Sequence, residues 1–205
     1  MKVLIVADEV SKKYYDYYEP GMLKDIDLII SAGDLPPQYL EFLTTMSCCD
    51  VLYVHGNHDG IYDTRPPEGC ICVDGCVYNH KGLRILGLGG SQRYKLGTHM
   101  YSEKEMRARV RKLKFQLFRN KGFDILLTHA PIEGHHDGED LPHKGFAVFG
   151  ELIEKYHPKY MIHGHQHKNY GKAYQQESWY KDTLVINAYV SYILEIPDEL
   201  LQKRR

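Results

Sequence analysis

The chain has 205 residues, 43% of them hydrophobic, which is enough for one well-buried core and predicts a single domain over 1–205. Its 26 basic and 27 acidic residues leave a formal net charge of -1, so the strongly basic balance of a general nucleic-acid or membrane binder is excluded. Cys48, Cys49, Cys70, Cys72 and Cys76 are odd in number; without an export signal they are expected as reduced thiols of a cytoplasmic protein.

In chain order, Met1-Lys2 runs directly into the apolar stretch 3–7, too short for a signal core or a membrane span and read as a first β-strand. Further strand-length apolar runs are 28–31, 51–54, 83–88, 125–128, 160–162, 184–186 and 192–196. They alternate with helical stretches, which predicts an α/β fold. Lys81-Gly82 lies between Val77-Tyr78 and the 83–88 run and predicts a hairpin, so part of the sheet is expected to be antiparallel. The Tyr14, Tyr15, Tyr17, Tyr18 cluster is read as the apolar side of a helix, with the rim near Asp8 as the alternative. Weaker helices are predicted at 41–46 and 146–156, the latter disfavoured by Gly150. The clearest helix starts at Ser102, where Ser102-x-x-Glu105 is a capping box and Met106, Val110, Leu113 and Leu117 form one apolar stripe. Its Arg and Lys residues are read as a solvated face. Cys70-x-Cys72-x-x-x-Cys76 alternates like a strand and lacks a zinc knuckle, so it is read as strand and turn cysteines.

Five apolar runs end at small or turn residues and then present metal-ligand side chains. They lead into Asp8, into Gly33-Asp34, into Gly56-Asn57-His58-Asp59, into His129, and into Gly164-His165-Gln166-His167. Carboxyl ends of strands in α/β sheets converge on one crevice, so residues far apart in sequence meet there. Carboxylate, amide oxygen and imidazole together suit Mn, Fe, Zn or Ni rather than an all-oxygen Ca or Mg cage. Two such ions can clamp a phosphate for in-line displacement. Singly, a Gly-Asp or Asn-His after a strand is turn chemistry and a lone histidine is structural; the five together in this order point to a metal centre. His55, His80, His99, His157 and His163 are read as structural or surface histidines.

The set Asp8, Gly33-Asp34, Gly56-Asn57-His58-Asp59, His129 and Gly164-His165-Gln166-His167 resembles the calcineurin-like metallophosphoesterase superfamily, in particular its small bacterial-type phosphodiesterases. The resemblance implies a two-sheet β-sandwich flanked by helices, with ligands on loops at one end. It implies two divalent metal ions, the first held by Asp8 and His167, the second by Asn57, His129 and His165, with Asp34 bridging. His58 is then the catalytic histidine, contacting the phosphate or protonating the leaving oxygen. Asp59 matches an acidic family position and either orients the loop or serves the turn. The family's Asp-x-His is Asp8-Glu9-Val10 here, so the first site is expected to be weak; Glu9 is a poor substitute because neighbours on an extended strand face opposite sides. The phosphoprotein-phosphatase pattern is replaced by Gly33-Asp34-Leu35-Pro36-Pro37, which points away from phosphoprotein substrates.

The resemblance thus implies a phosphoesterase, a phosphodiesterase first, that hydrolyses a small phosphoester with metal-activated hydroxide and His58 assisting. A metal-poor binding or scaffold module of the same fold is the alternative, with Val10 as its support. A nuclease is a third class, weakened by the near-neutral charge. For substrate binding, Arg93 is expected to hold a phosphate and Tyr94 to stack on a base, a surface salt bridge being the equal alternative for Arg93. The polar run 131–145 is long enough for an active-site loop; its His135, His136 and His143 are read as solvated rather than as added ligands.

Overall fold

The strands of this chain read as unbroken apolar runs because both of their faces are covered. The computed structural model describes residues 1–167 and 175–202. In chain order these form β1 (Lys2–Val6), β2 (Leu28–Ser31), α1 (Pro37–Met46), β3 (Val51–Tyr53), β4 (Ile71–Cys72), β5 (Val77–His80) and β6 (Leu83–Leu88). There follow β7 (Ser91–Gln92), β8 (Met100–Tyr101), α2 (Glu103–Lys112), α3 (Lys114–Arg119), β9 (Ile125–Thr128), α4 (Ala147–Tyr156) and β10 (Tyr160–His163). The chain ends with β11 (Glu177–Tyr180), β12 (Thr183–Asn187), β13 (Tyr192–Glu195) and α5 (Asp198–Gln202).

One sheet has the order β13-β1-β2-β3-β4 and the other β11-β12-β10-β9-β6-β5. The central neighbours of each run parallel, and the outer pairs β13–β1, β11–β12 and β5–β6 are antiparallel. Alternation along β1 shows how the layers form. Val3 and Ile5 join Leu52, Ile85, Leu127 and Ile186 between the two sheets, whereas Leu4 and Val6 face outward onto Tyr39, Leu40 and Leu43 of α1. The outer face of the second sheet is covered by Met106 of α2, Leu117 of α3 and Phe149 and Leu152 of α4. This is the two-sheet sandwich flanked by helices.

Several boundaries move for identifiable reasons. Helix α1 starts ahead of the 41–46 run because Pro37 occupies a first-turn position, where its missing N–H costs nothing. The Ser102–Glu105 capping box forms on α2 as predicted. The stripe helix nevertheless breaks at Leu113, whose N–H bonds the Val110 carbonyl three residues back; Leu113 and Leu117 stay buried on either side of the break. A Cβ on Gly150 would stand 2.9 Å from the Tyr180 hydroxyl, so that helix position is glycine for close packing against β11. The tyrosine cluster forms no α-helix. A 3-10 turn at Lys12–Tyr14 buries Tyr14, and Tyr15 and Tyr18 meet Phe42 edge-on. Among the described residues no helix is long and apolar enough to cross a membrane.

Candidate metal centre

The five sequence-predicted loops do meet at the carboxyl ends of β1, β2, β3, β9 and β10. Their backbones are bent unusually tightly there. Asp8 (φ 65°), Asp34 (φ 58°) and His165 (φ 69°) all adopt the left-handed region, which costs a non-glycine residue about 1 kcal/mol or more. The glycines beside them are required chiefly for space. A Cβ on Gly56 would lie 2.0 Å from Asp34 Oδ1, and one on Gly164 would lie 2.6 Å from Asp8 Oδ2. Gly33 needs both freedoms, with φ 96° and a Cβ position 2.4 Å from the Gly56 nitrogen. Asp59 Oδ2 accepts the N–H of Gly56 (2.7 Å) and of Asp34 (2.8 Å), joining the second and third loops. Burial, then the nearby Asp34 charge, pushes the Asp59 carboxyl up to about 6.

A closed group of donors forms around His129, which is fully buried. Its Nε2 lies 3.1 Å from Asn57 Oδ1, 3.2 Å from Asp34 Oδ2 and 3.1 Å from His165 Nδ1. The outward nitrogens of both rings are committed to carbonyls: His129 Nδ1 donates to Ala32 O (2.8 Å) and His165 Nε2 to Pro142 O (2.6 Å). A carbonyl can only accept, so each ring is set to turn a lone pair inward, as a metal-bound imidazole requires. Burial opposes protonation of His129, yet the facing Asp34 carboxylate outweighs it and lifts the imidazole to about 9. Burial likewise opposes charge on Asp34, and His129 and the His58 N–H (2.7 Å) hold it well below the usual carboxylate range. The Asp34 carboxylate thus favours positive charge at this point. Asn57 Nδ2 is buried without a hydrogen-bond partner, a donor aimed at nothing in the protein. The donor set and the orphaned amide fit a divalent ion with a bound anion.

Asp8 and His167 sit beside this group in a looser arrangement. Both Asp8 oxygens accept the His165 N–H, at 2.9 and 3.0 Å, and His167 Nε2 is 3.6 Å from Asp8 Oδ1. A cavity of about 400 Å³ opens over the centre, and its described lining comprises Asp8, Asp34, Asn57, His58, Tyr94, Pro142, His143, His165 and His167. His58 is exposed into it. Tyr94 is among the residues lining the cavity. Arg93 instead bonds Glu105 (2.9 Å) and the Met100 carbonyl (3.2 Å), the salt-bridge alternative.

Sequence reasoning missed the contribution of the 131–145 loop. His143 is not merely solvated: Asp140 holds its Nδ1 at 2.7 Å, and the ring lines the cavity beside His165. His135 and His136 are also engaged. His163 Nδ1 donates to Gly164 O (2.8 Å), so its Nε2 accepts from His136 Nδ1 (2.9 Å); His136 Nε2 then accepts from Ser178 Oγ (2.7 Å), which accepts from His135 Nε2 (2.7 Å). A second group of potential ligands, His55, Asp74 and His99, lies elsewhere. There Asp74 is already saturated by Arg109, the Gly89 N–H and His55 Nδ1, with the two imidazoles stacked 4.2 Å apart. That network braces the loop leading into Gly56.

A sandwich of two sheets carrying a carboxylate, amide and imidazole cage at its strand ends has the layout of a metallophosphoesterase. The model of the calcineurin-like phosphoesterase family matches residues 1–169, and the chain belongs to that family of phosphoesterase-type hydrolases, whose members typically bind divalent metals. An uncharacterized protein of Haemophilus influenzae is 25% identical over 221 residues, covering 90% of this chain and 94% of that one. Among solved structures, phosphopantetheinyl hydrolase (PptH) of Mycobacterium tuberculosis has a TM-score of 0.58 at 14% identity, covering 100% of this chain and 92% of that one. A Thermus thermophilus protein also gives 0.58, at 16% identity and 92% and 89% coverage. At such identities the likeness is one of fold.

Proposed function

We propose that the chain is a metal-dependent phosphodiesterase acting on a small organic phosphoester, with Asp8, Asp34, Asn57, His129, His165 and His167 as metal ligands. The observation that carries this reading is the pair of buried histidines whose tautomers are set by Ala32 O and Pro142 O so that their inward nitrogens meet 3.1 Å apart, with Asp34 and Asn57 against His129. When bound, a divalent cation here supplies Lewis acidity toward a phosphoryl oxygen and toward a water molecule. The protein's own groups do the rest. Asn57 Nδ2 donates to a non-bridging phosphoryl oxygen, which satisfies the amide left unpaired in the protein alone. His58, exposed in the cavity and outside the cage, delivers a proton to the leaving ester oxygen. Tyr94 and Pro142 offer apolar surface to the organic part of the substrate.

A cavity of about 400 Å³ is of a size that takes a small ligand. The test is turnover of bis-p-nitrophenyl phosphate against p-nitrophenyl phosphate by the Mn²⁺-loaded protein. Preference for the diester is expected; preference for the monoester would reassign the substrate class. A second reading, a catalytically weak binding module, is favoured by Val10 alone and predicts turnover of neither compound with any divalent metal.

A further inference from the structure

We infer that the outward face of α2 and α3 is a docking surface for anionic phospholipid, on which the protein lies with Phe115 and Phe118 among the headgroups and Arg111, Lys112, Lys114 and Arg119 against the lipid charge. The surface involves none of the candidate metal ligands.

The charge of the chain is unevenly placed. From Met106 to Lys121 the sequence holds seven basic residues and no acidic one, although the whole chain is close to neutral at -1. Two of the seven are engaged within the protein: Arg107 pairs with Glu103 and Glu151, and Arg109 with Asp74. Arg111, Lys112, Lys114 and Arg119 are exposed, and among the described residues none of them joins an ion pair.

The break at Leu113 decides what stands between these cations. Leu113 and Leu117 are buried against the second sheet. Phe115 and Phe118, neighbours on one helical face, are thereby turned outward at 73% and 83% exposure. Among the described residues only Leu96 is a more exposed large apolar side chain. The platform beneath the rings is fixed, because Gln116 Oε1 accepts the Val77 N–H at 2.9 Å and Arg84 holds the carbonyls of Asn120 and Lys121. Aromatic rings flanked by cations fit the headgroup boundary of an anionic bilayer, where the rings leave water and each cation adds about fivefold in partitioning. Rings standing out from a helix form no groove to track a nucleic-acid strand. Two copies meeting through this face about a two-fold axis would set like charges against one another.

The test is cosedimentation of the intact protein with vesicles of phosphatidylcholine alone and of phosphatidylcholine carrying about one third phosphatidylserine. Binding is expected to the anionic vesicles only, and it should weaken as salt rises from about 0.1 to about 0.5 M. Lys112→Glu combined with Lys114→Glu should lower the partition coefficient at least about 20-fold. Phe115→Ser combined with Phe118→Ser should lower it about tenfold, with circular dichroism and hydrolysis of soluble phosphoesters as in the parent. No binding to the anionic vesicles, equal binding to both kinds, or parental binding by the phenylalanine variant would overturn the inference. So would a single-stranded oligonucleotide bound more tightly than the vesicles, or a dimer in solution that the phenylalanine changes dissociate.

Discussion

His58 is the side chain on which the division between binding metal and doing chemistry turns. It opens into the cavity, while its backbone N–H, not its ring, is bonded to Asp34. His58→Ala should therefore keep its metal complement and lose about 10²–10⁴ in kcat; loss of stoichiometric metal would make the ring a ligand. The glycines allow a sharper test of geometry. In Gly56→Ala the new methyl group would collide with Asp34 Oδ1, so Mn²⁺ affinity should drop by at least about tenfold with secondary structure retained by circular dichroism. Parental affinity would show that the Asp34 carboxylate can move without consequence. The positions of the candidate ligands were legible in the sequence because each is a rare donor type at the end of an apolar run. The carbonyls of Ala32 and Pro142 were not, since a backbone acceptor leaves no trace in residue identity. His143 was missed for a related reason: nothing local shows that a polar loop folds back over strands that end elsewhere in the chain.

Between elements, two polar connections brace the second sheet. Arg84 on β6 is 5% exposed and bonds Asp124 ahead of β9 through both oxygens, together with the carbonyls of Asn120 and Lys121 after α3. Arg84→Ala should cost about 3 kcal/mol or more in urea unfolding, because it strands a half-buried carboxylate and two carbonyls; a change below about 0.5 kcal/mol would mean that water replaces the guanidinium. The His135–Ser178–His136–His163 chain couples β11 to β10 and introduces a pH dependence. Burial, then the adjacent His135, holds His136 down to about 4, against about 6.5 in an unfolded chain. Between those values the unfolded state binds the additional proton. The stability that this arrangement contributes is thus complete above about pH 6.5 and is lost as pH falls toward 4. The thermal midpoint should fall from pH 7 to pH 5, and His136→Asn should flatten that slope; an equal slope in both proteins would refute the assignment. Most strands and the Ser102 capping box were legible because burial on both faces and a local hydrogen bond are written in neighbouring residues. Strand β11 was not: it is an edge strand with alternating exposure, Glu177 and Trp179 outward, and contains no apolar run.

At the scale of the molecule, the sandwich itself was predictable once the ligand pattern had been matched to a family. The pairing order was not, since β13 returns to lie antiparallel to β1, with Lys2 opposite Glu195, and no local signal spans that distance. The sandwich matters for function because it brings strand ends from both sheets to one edge, so the cage takes Asp34 and Asn57 from one sheet and His129 and His165 from the other. The central claim is that this cage, when it holds a divalent metal, hydrolyses a phosphoester. The most direct measurement is bis-p-nitrophenyl phosphate turnover in parent and Asp34→Asn proteins, each stripped with chelator and then reconstituted with Mn²⁺, with bound metal determined on the same samples. The account predicts that stripping abolishes parental turnover, that Mn²⁺ restores it, and that Asp34→Asn loses metal and activity together, because that carboxylate charge holds the cation. Turnover that survives stripping, or Asp34→Asn activity within a few-fold of the parent, would contradict it.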